Sequence, residues 1–187
     1  MKCQMIIAGT GGQGVLFSAG IFTEIARRNN VPVLGSQTYG MAQRGGSVVS
    51  HLKIGEFVSP LVREGAADLL LGIDGLEAHR CLPYLRPARD GMGALCIVNA
   101  PDGRGFPDLR VAEAIKDMGV VIHTCDADAI ALQMGNPLVA NLVLLGFGSS
   151  RDDFPFTFDE LCEATEALSD SRHAAANLKA LEHGRAL

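Results

Sequence analysis

Residues Cys3–Arg28 read CQMIIAGTGGQGVLFSAGIFTEIARR, and this stretch decides the fold. It opens with a short apolar run, Cys3–Ala8, of the kind that forms a strand buried on both faces of a parallel sheet. Glycines follow at once: Gly9, Gly11 and Gly14 satisfy G-x-G-x-x-G, and Gly12 adds a fourth. Val15–Arg28 then shows helical spacing, with Val15, Ser18, Ala19, Phe22 and Ile25 or Ala26 on one side. Arg27 and Arg28 stand in its last turn, where cations complement the helix dipole. Asn29-Asn30 ends the helix, and Val31–Leu34 (VPVL) predicts a second strand. Strand, glycine turn, helix and strand make one βαβ unit.

Working outward, Ser36–Ser47 (SQTYGMAQRGGS) is polar, glycine-rich and too long for a tight connection. Val48–Ile54 alternates in hydropathy and predicts a half-buried strand, with Phe57–Leu61 returning to pair with it as an antiparallel hairpin over 48–61. Asp68–Ile73 and Cys96–Asn99 predict buried strands, and Val120–Thr124 a further one. Leu76–Leu85 reads as a short helix broken at Pro83. Val111–Met118, Ala127–Met134 and the Val- and Leu-rich Pro137–Phe147 read as helices. Phe158–Leu168 and Ala174–His183 are two more. Strands alternating with helices predict an α/β, Rossmann-like fold: a mainly parallel sheet covered on both faces. Residues 1–150 make that domain, and 151–187 a helical cap or interface arm of it.

Composition narrows the function. The 187 residues suit one domain with a helical tail, and 48% hydrophobic content is enough for a core. A net charge of −5 without any basic block argues against nucleic acid as a partner. Polar residues or glycine interrupt every apolar run, so no membrane span is expected. The glycine loop arrives too early for a secretory leader, so a cytoplasmic location is expected. The five cysteines, Cys3, Cys81, Cys96, Cys125 and Cys162, include no C-x-x-C, which argues against disulfides and a clustered iron–sulfur site. The five histidines stand at no metal-ligand spacing, and no metal ligands are assigned. Neither a nucleophile elbow nor a Walker A lysine is present, so no catalytic residue is assigned.

Two segments carry chemistry. The glycine loop, Gly9, Thr10, Gly11, Gly12, Gln13 and Gly14, lets backbone N–H groups approach an anion at the start of a helix. Gly11 is expected to be a position where no Cβ fits. A dinucleotide site would also need an acid near the end of the second strand. Gly35, Ser36, Gln37 and Thr38 stand there instead. The second segment sets Tyr39, Gln43, Arg44 and Ser47 among glycines, and a guanidinium can clamp a carboxylate or phosphate with two parallel hydrogen bonds. Both segments are expected at one sheet edge, facing one crevice. The alternatives are glycines needed only for packing, and a polar interface loop. Asp74, Glu77 and Asp126 fall near strand ends and read as ordinary acids.

Together these segments resemble the gamma-type domain of the 2-oxoacid:ferredoxin oxidoreductases. The shared run includes GTGGQG at 9–14, GMAQRGGSVVS at 40–50, Ile54-Gly55, Ser59-Pro60, Ala67-Asp68, Glu77-Ala78 and LPYL at 82–85. Asn99 with Pro101, and Asn141 with Leu145-Gly146, are the later landmarks. GMAQRGGSV looks most like the small beta subunit of the indolepyruvate type. Related sequences often place an acid or His just before Gly40; here Ser36–Tyr39 stands there.

The resemblance implies an oxidoreductase subunit acting on an oxo group, with an iron–sulfur protein as electron acceptor. The whole enzyme oxidatively decarboxylates a 2-oxoacid, couples the acyl group to coenzyme A and reduces ferredoxin. This chain binds no cofactor alone; thiamine diphosphate and iron–sulfur clusters belong to a larger partner subunit, and coenzyme A to the assembled complex. Ferredoxin is reached through the complex, and the isolated chain is open to homo-oligomerisation. The glycine loop, Tyr39, Gln43, Arg44 and Ser47 become candidates for lining the shared coenzyme A region. The alternatives are a free-standing NAD(P)- or flavin-binding Rossmann protein, and a module that senses acyl-CoA or a nucleotide.

Overall fold

The opening run forms strand β1, Cys3–Thr10, and in the computed structural model it lies at the middle of a six-stranded sheet. The structure describes residues 2–40, 45–89, 91–101, 103, 106 and 108–187. The other strands are β2 (Val33–Tyr39), β3 (Ser47–Ile54), β4 (Leu69–Gly72), β5 (Leu95–Asn99) and β6 (Val121–Cys125), in the spatial order β2-β3-β1-β4-β5-β6. The helices are α1 (Val15–Arg28), α2 (Gly75–Cys81), α3 (Leu109–Asp117), α4 (Ala127–Gln133), α5 (Ala140–Ser149), α6 (Phe158–Leu168) and α7 (Ala174–Arg185). This is the expected α/β sheet with helices on both faces. β1, β4, β5 and β6 pair in parallel, and only β3 runs against the rest.

Apolar runs stay unbroken in the central strands because both faces are covered. Met5 and Ile7 of β1, Leu69 and Leu71 of β4, and Leu95 and Ile97 of β5 join one core with α1, α4, α5, α6 and α7. Ile6, Ala8, Leu70, Cys96 and Val98 point the other way, into a smaller core under α2 and α3. Two caps register the helices to strand ends. Asp74 accepts from the Leu76 and Glu77 amides at α2, and Asp126 accepts from the Ala129 amide at α4. These two acids, read from sequence as ordinary, are helix caps.

The antiparallel edge lies elsewhere than the expected 48–61 hairpin. β3 pairs with β2, from Val33 opposite Ile54 to Tyr39 opposite Val48. Phe57–Leu61 forms no strand and runs on into the segment that covers β3. The second strand therefore begins later than Val31 and extends through Tyr39, into the polar stretch read as connection. Main-chain pairing overrides weak strand propensity at Gly35, Ser36 and Gln37. The hairpin also changes the βαβ unit. β3 sits between β1 and β2, so the crossover through α1 skips one strand.

On the second face of β3, buried His51 accepts from the Val62 amide at 3.3 Å and meets the Tyr84 ring edge-on at 5.3 Å. Burial, with Lys53 beside it, holds its imidazole below the ordinary histidine range. The unfolded chain then binds the extra proton more readily. The stabilisation is complete above the unfolded value of about 6.5 and is lost as pH falls from there through the depressed folded value. Urea unfolding at pH ~8 and ~5.5 is expected to show a larger loss for the wild type than for His51→Gln, which keeps an acceptor but does not titrate. Equal losses would refute this role.

The C-terminal helices enter the main core through Leu161 and Ala164 of α6 and Ala180 and Leu181 of α7. α5 is buried from Ala140 to Gly148 because the sheet covers one side and α7 the other. Glycines make the α5–α7 contact close. A Cβ on Gly146 would stand 2.0 Å from the Leu181 carbonyl oxygen, and one on Gly184 would stand 1.9 Å from that of Val143. Among the described residues, no helix is long and apolar enough to cross a membrane.

Candidate functional site

The glycine loop leaves β1 at Thr10 and enters α1 at Gly14, the N-cap residue, with φ +83°. Gly12 also has positive φ, at +100°. Gln13 is the loop's own clasp. Its side-chain oxygen accepts from the Thr10 amide at 2.7 Å, while its amide donates to the Thr10 carbonyl at 3.1 Å. No side chain caps α1 and no acid stands in its first turn, so the first amides of the helix are left for another acceptor.

Opposite this loop stands the mouth of the β2–β3 hairpin. The Gly40 amide donates to the Ser47 carbonyl at 2.7 Å, and the Gly11 amide donates across to the Gly46 carbonyl at 2.9 Å. The two glycine-rich segments thus share a wall. Between them lies a cleft of about 480 Å³ at the C-terminal edge of the parallel strands. Its lining joins Thr10, Gly11, Gly12 and Gly14 of the loop to Tyr39, Gly40, Gly45, Gly46 and Ser47 of the hairpin. Val15, Leu16, Phe17 and Val48 add apolar surface. Tyr39, 61% exposed, is well placed at the rim.

Of the ten residues proposed from sequence, six line this cleft: Thr10, Gly11, Gly12, Gly14, Tyr39 and Ser47. Gly9 and Gln13 stand off it. Gly9 lies in β1, where a Cβ would come 2.9 Å from Val15 Cγ2, and Gln13 is occupied as the clasp. Gln43 and Arg44 lie outside the described residues. The expectation for Gly11 needs correction. A Cβ there would meet Gly45 N at 3.6 Å, an ordinary contact. The demanding position is Gly14, where φ is positive and a Cβ would stand only 2.6 Å from Asn141 Nδ2.

Sequence reading missed two supports. Asn141, buried at the start of α5, donates to the Gly14 carbonyl at 3.4 Å and to Ser18 Oγ at 3.1 Å. Glu77, buried on α2, accepts the Ser47 hydroxyl at 2.6 Å and an Arg80 Nη1 hydrogen bond at 2.6 Å. Both residues stood among the landmarks of the resemblance; nothing in their local spacing marked them. A third landmark, Asn99, is a buried bracket that donates to the Ile73 carbonyl and accepts from the Ala127 amide.

The strand ends differ from those of a dinucleotide site. The strand flanking β1 on the hairpin side is β3, which enters that edge at Ser47, and β2 ends one strand further out in Gln37, Thr38 and Tyr39. Neither strand carries an acid of its own at that edge, and the acid that reaches Ser47, Glu77 of α2, is engaged by Ser47 and Arg80. The five cysteines lie on five separate elements, β1, α2, β5, β6 and α6. Burial pushes the Cys3 thiol up to about 12, Cys81 to about 11 and Cys125 to about 12, so they stay protonated at neutral pH. Among the described residues, no three His, Cys, Asp or Glu side chains converge as metal ligands.

Residues 4–187 match the pyruvate ferredoxin/flavodoxin oxidoreductase family. The chain belongs to this family. Among the curated members of the pyruvate ferredoxin/flavodoxin oxidoreductases, it is similar to indolepyruvate oxidoreductase subunit IorB of Archaeoglobus fulgidus. The two are 30% identical over 194 residues, covering 98% of this chain and 94% of the relative. The protein of that name from Methanothermobacter thermautotrophicus is 29% identical over 191 residues, covering 98% and 96%. Two solved structures of such oxidoreductases share the fold. One is the gamma subunit of a keto/oxoacid ferredoxin oxidoreductase from Geobacter sulfurreducens, with TM-score 0.71 and 20% identity, covering 97% of this chain and 95% of that one. The other is the 2-oxoglutarate:ferredoxin oxidoreductase of Magnetococcus marinus, with TM-score 0.74 and 19% identity, where 99% of this chain matches 30% of a longer one. The resemblance read from GTGGQG and GMAQRGGSV is thus to the right family, and its curated relatives here are indolepyruvate oxidoreductase IorB subunits.

Proposed function

We propose that this chain is the small, non-redox subunit of a thiamine-diphosphate-dependent 2-oxoacid:ferredoxin oxidoreductase of the indolepyruvate type. The observation that carries this reading is the cleft where the two glycine-rich segments meet, in a chain of which 98% matches an IorB subunit. Thiamine diphosphate and the iron–sulfur clusters of the larger partner supply decarboxylation and electron transfer. Among its described residues, this chain offers neither a cluster donor set nor a convergent acid–base pair in the cleft.

Its own residues perform the remaining tasks. The uncapped start of α1 presents amide donors to a phosphate or carboxylate. Val15, Leu16, Phe17 and Val48 give the same cleft an apolar side that excludes water from a neighbouring acyl or pantetheine chain. Coenzyme A, an anion at one end and a flexible apolar-amide arm at the other, suits that division. Gln43 and Arg44 lie outside the described residues; the sequence offers Arg44 as a planar fork for an anionic group.

The test is reconstitution. Co-expressed with a thiamine-dependent, cluster-bearing partner subunit, the chain is expected to co-purify and to be required for 2-oxoacid- and coenzyme A-dependent ferredoxin reduction. Full activity of the partner in its absence would refute the proposal. So would a chain that, purified alone, carries a flavin or nicotinamide and turns over substrate.

A further inference from the structure

Glu77 is 4% exposed, yet it sits on a short helix that reaches the cleft only through another residue. The close approach of α2 to the sheet puts it there: a Cβ on Gly72 would stand 2.4 Å from Ala78 Cβ, so only glycine lets the helix sit so low on β4. From that position the carboxylate takes the Ser47 hydroxyl on one oxygen and Arg80 on the other. Ser47 is the node of the cleft wall. Its backbone pairs with Thr10, its carbonyl accepts from the Gly40 amide, and the preceding carbonyl, of Gly46, accepts from the Gly11 amide. Its hydroxyl is thereby committed to α2 and is not a free donor to a ligand. A buried carboxylate is a costly way to pack a helix against a sheet when an apolar side chain could do it. What it adds is a directional, charge-assisted bond.

We propose that Glu77 is a positioning residue for the cleft. Through Ser47 it fixes the root of the Gly40–Ser47 connection, so that Gly46 stays within reach of the Gly11 amide and the two walls keep their separation. Arg80 holds the carboxylate in the rotamer that meets Ser47. The inference rests on the subunit reading for what the cleft does, but its geometric part stands on this chain alone.

Two measurements test it. The first is amide hydrogen exchange, followed by NMR on the full chain. In Glu77→Ala and in Ser47→Ala the Gly11 amide is expected to exchange at least about tenfold faster, while the Met5–Ala8 amides of β1 keep their rates. Glu77→Gln, whose side-chain oxygen still accepts from Ser47, is expected to restore most of the protection. The double variant is expected to be no worse than either single one, because both remove the same link. The second measurement uses the assembled enzyme. The same substitutions are expected to raise KM for coenzyme A or the 2-oxoacid about tenfold and to leave kcat within about twofold. A helix-packing role alone would lower the melting temperature without that split. Unchanged Gly11 exchange overturns the inference, and so does faster exchange with unaltered KM in an active complex. If the wild-type chain supports no activity in any complex, the subunit reading falls, and the exchange result alone then decides the role of Glu77. Should Glu77→Ala fail to fold, Ser47→Ala and Glu77→Gln carry the comparison.

Discussion

Gly146→Val is expected to abolish the native fold. The obstruction is backbone on both sides of the α5–α7 crossing. A Cβ at Gly146 would lie 2.0 Å from the Leu181 carbonyl oxygen, while Gly184 faces the Val143 carbonyl just as closely. A side chain in the way can rotate; a carbonyl inside a helix cannot. The helices would have to separate, and α5 is the element that α7 and the sheet bury between them. Overpacking a core ordinarily costs about 1–3 kcal/mol. With no compliant atom in the way, the cost here is expected to exceed about 4 kcal/mol, a large share of the roughly 5–15 kcal/mol that typically holds a domain together. Soluble yield and the urea midpoint are the readouts. Gly20→Ala is the control. Its Cβ would meet only Leu168 Cδ1, at 3.5 Å, so that helical substitution is expected to be neutral or to stabilise by up to about 1 kcal/mol. A Gly146→Val protein with the wild-type midpoint would contradict so close a crossing.

Gly14→Val is expected to cost about 2–4 kcal/mol and to disable the cleft. Two penalties combine. A side chain at φ +83° pays about 1–2 kcal/mol for the left-handed conformation. Its Cβ also runs into Asn141 Nδ2, which is held by the Gly14 carbonyl and Ser18 Oγ. Relief requires moving the start of α1 or expelling Asn141, and either displaces the first amides of the helix. In the reconstituted enzyme, kcat/KM is expected to fall by at least about tenfold beyond any loss of assembled protein. Gly11→Ala is the matched comparison, because its Cβ makes an ordinary 3.6 Å contact and its φ is not positive. Equal damage from the two substitutions would contradict the loop geometry.

Helix periodicity was the most legible feature of the sequence, whereas the caps at Asp74 and Asp126 went unread. α1 and α6 run over the residues their spacing predicts, because each has an apolar stripe with a clear stop. α6 also carries a Thr157–Glu160 capping box at its start. The parallel core strands were legible for a different reason. Burial on both faces demands unbroken apolar runs, and LLLG and LCIVN supply them. The hairpin was not. Its first strand is half polar, and the pairing that makes it a strand comes from another strand, across separations that widen from Tyr39–Val48 to Val33–Ile54. Local pattern therefore ends the strand at Leu34 and pairs β3 with the wrong neighbour. In the candidate site, the glycines announced the loop but not which of them are constrained. That depends on Asn141, which is 127 residues from Gly14 along the chain. Glu77 was illegible for the same reason: its partner Ser47 is 30 residues away and on another element.

The hairpin that supplies one wall of the cleft also leaves β2 as an outermost strand reading VLGSQTY, with no charged residue and no proline. Natural sheets commonly guard such a border with lysine, proline or a bulge, because its unpaired main-chain groups invite a foreign strand. Here that guard is missing over seven residues, and Gln37, Thr38 and Tyr39 are open to solvent. Overproducing this polypeptide without a companion thus exposes a sticky seam, and a lysine at Thr38 is the first remedy for clumped preparations.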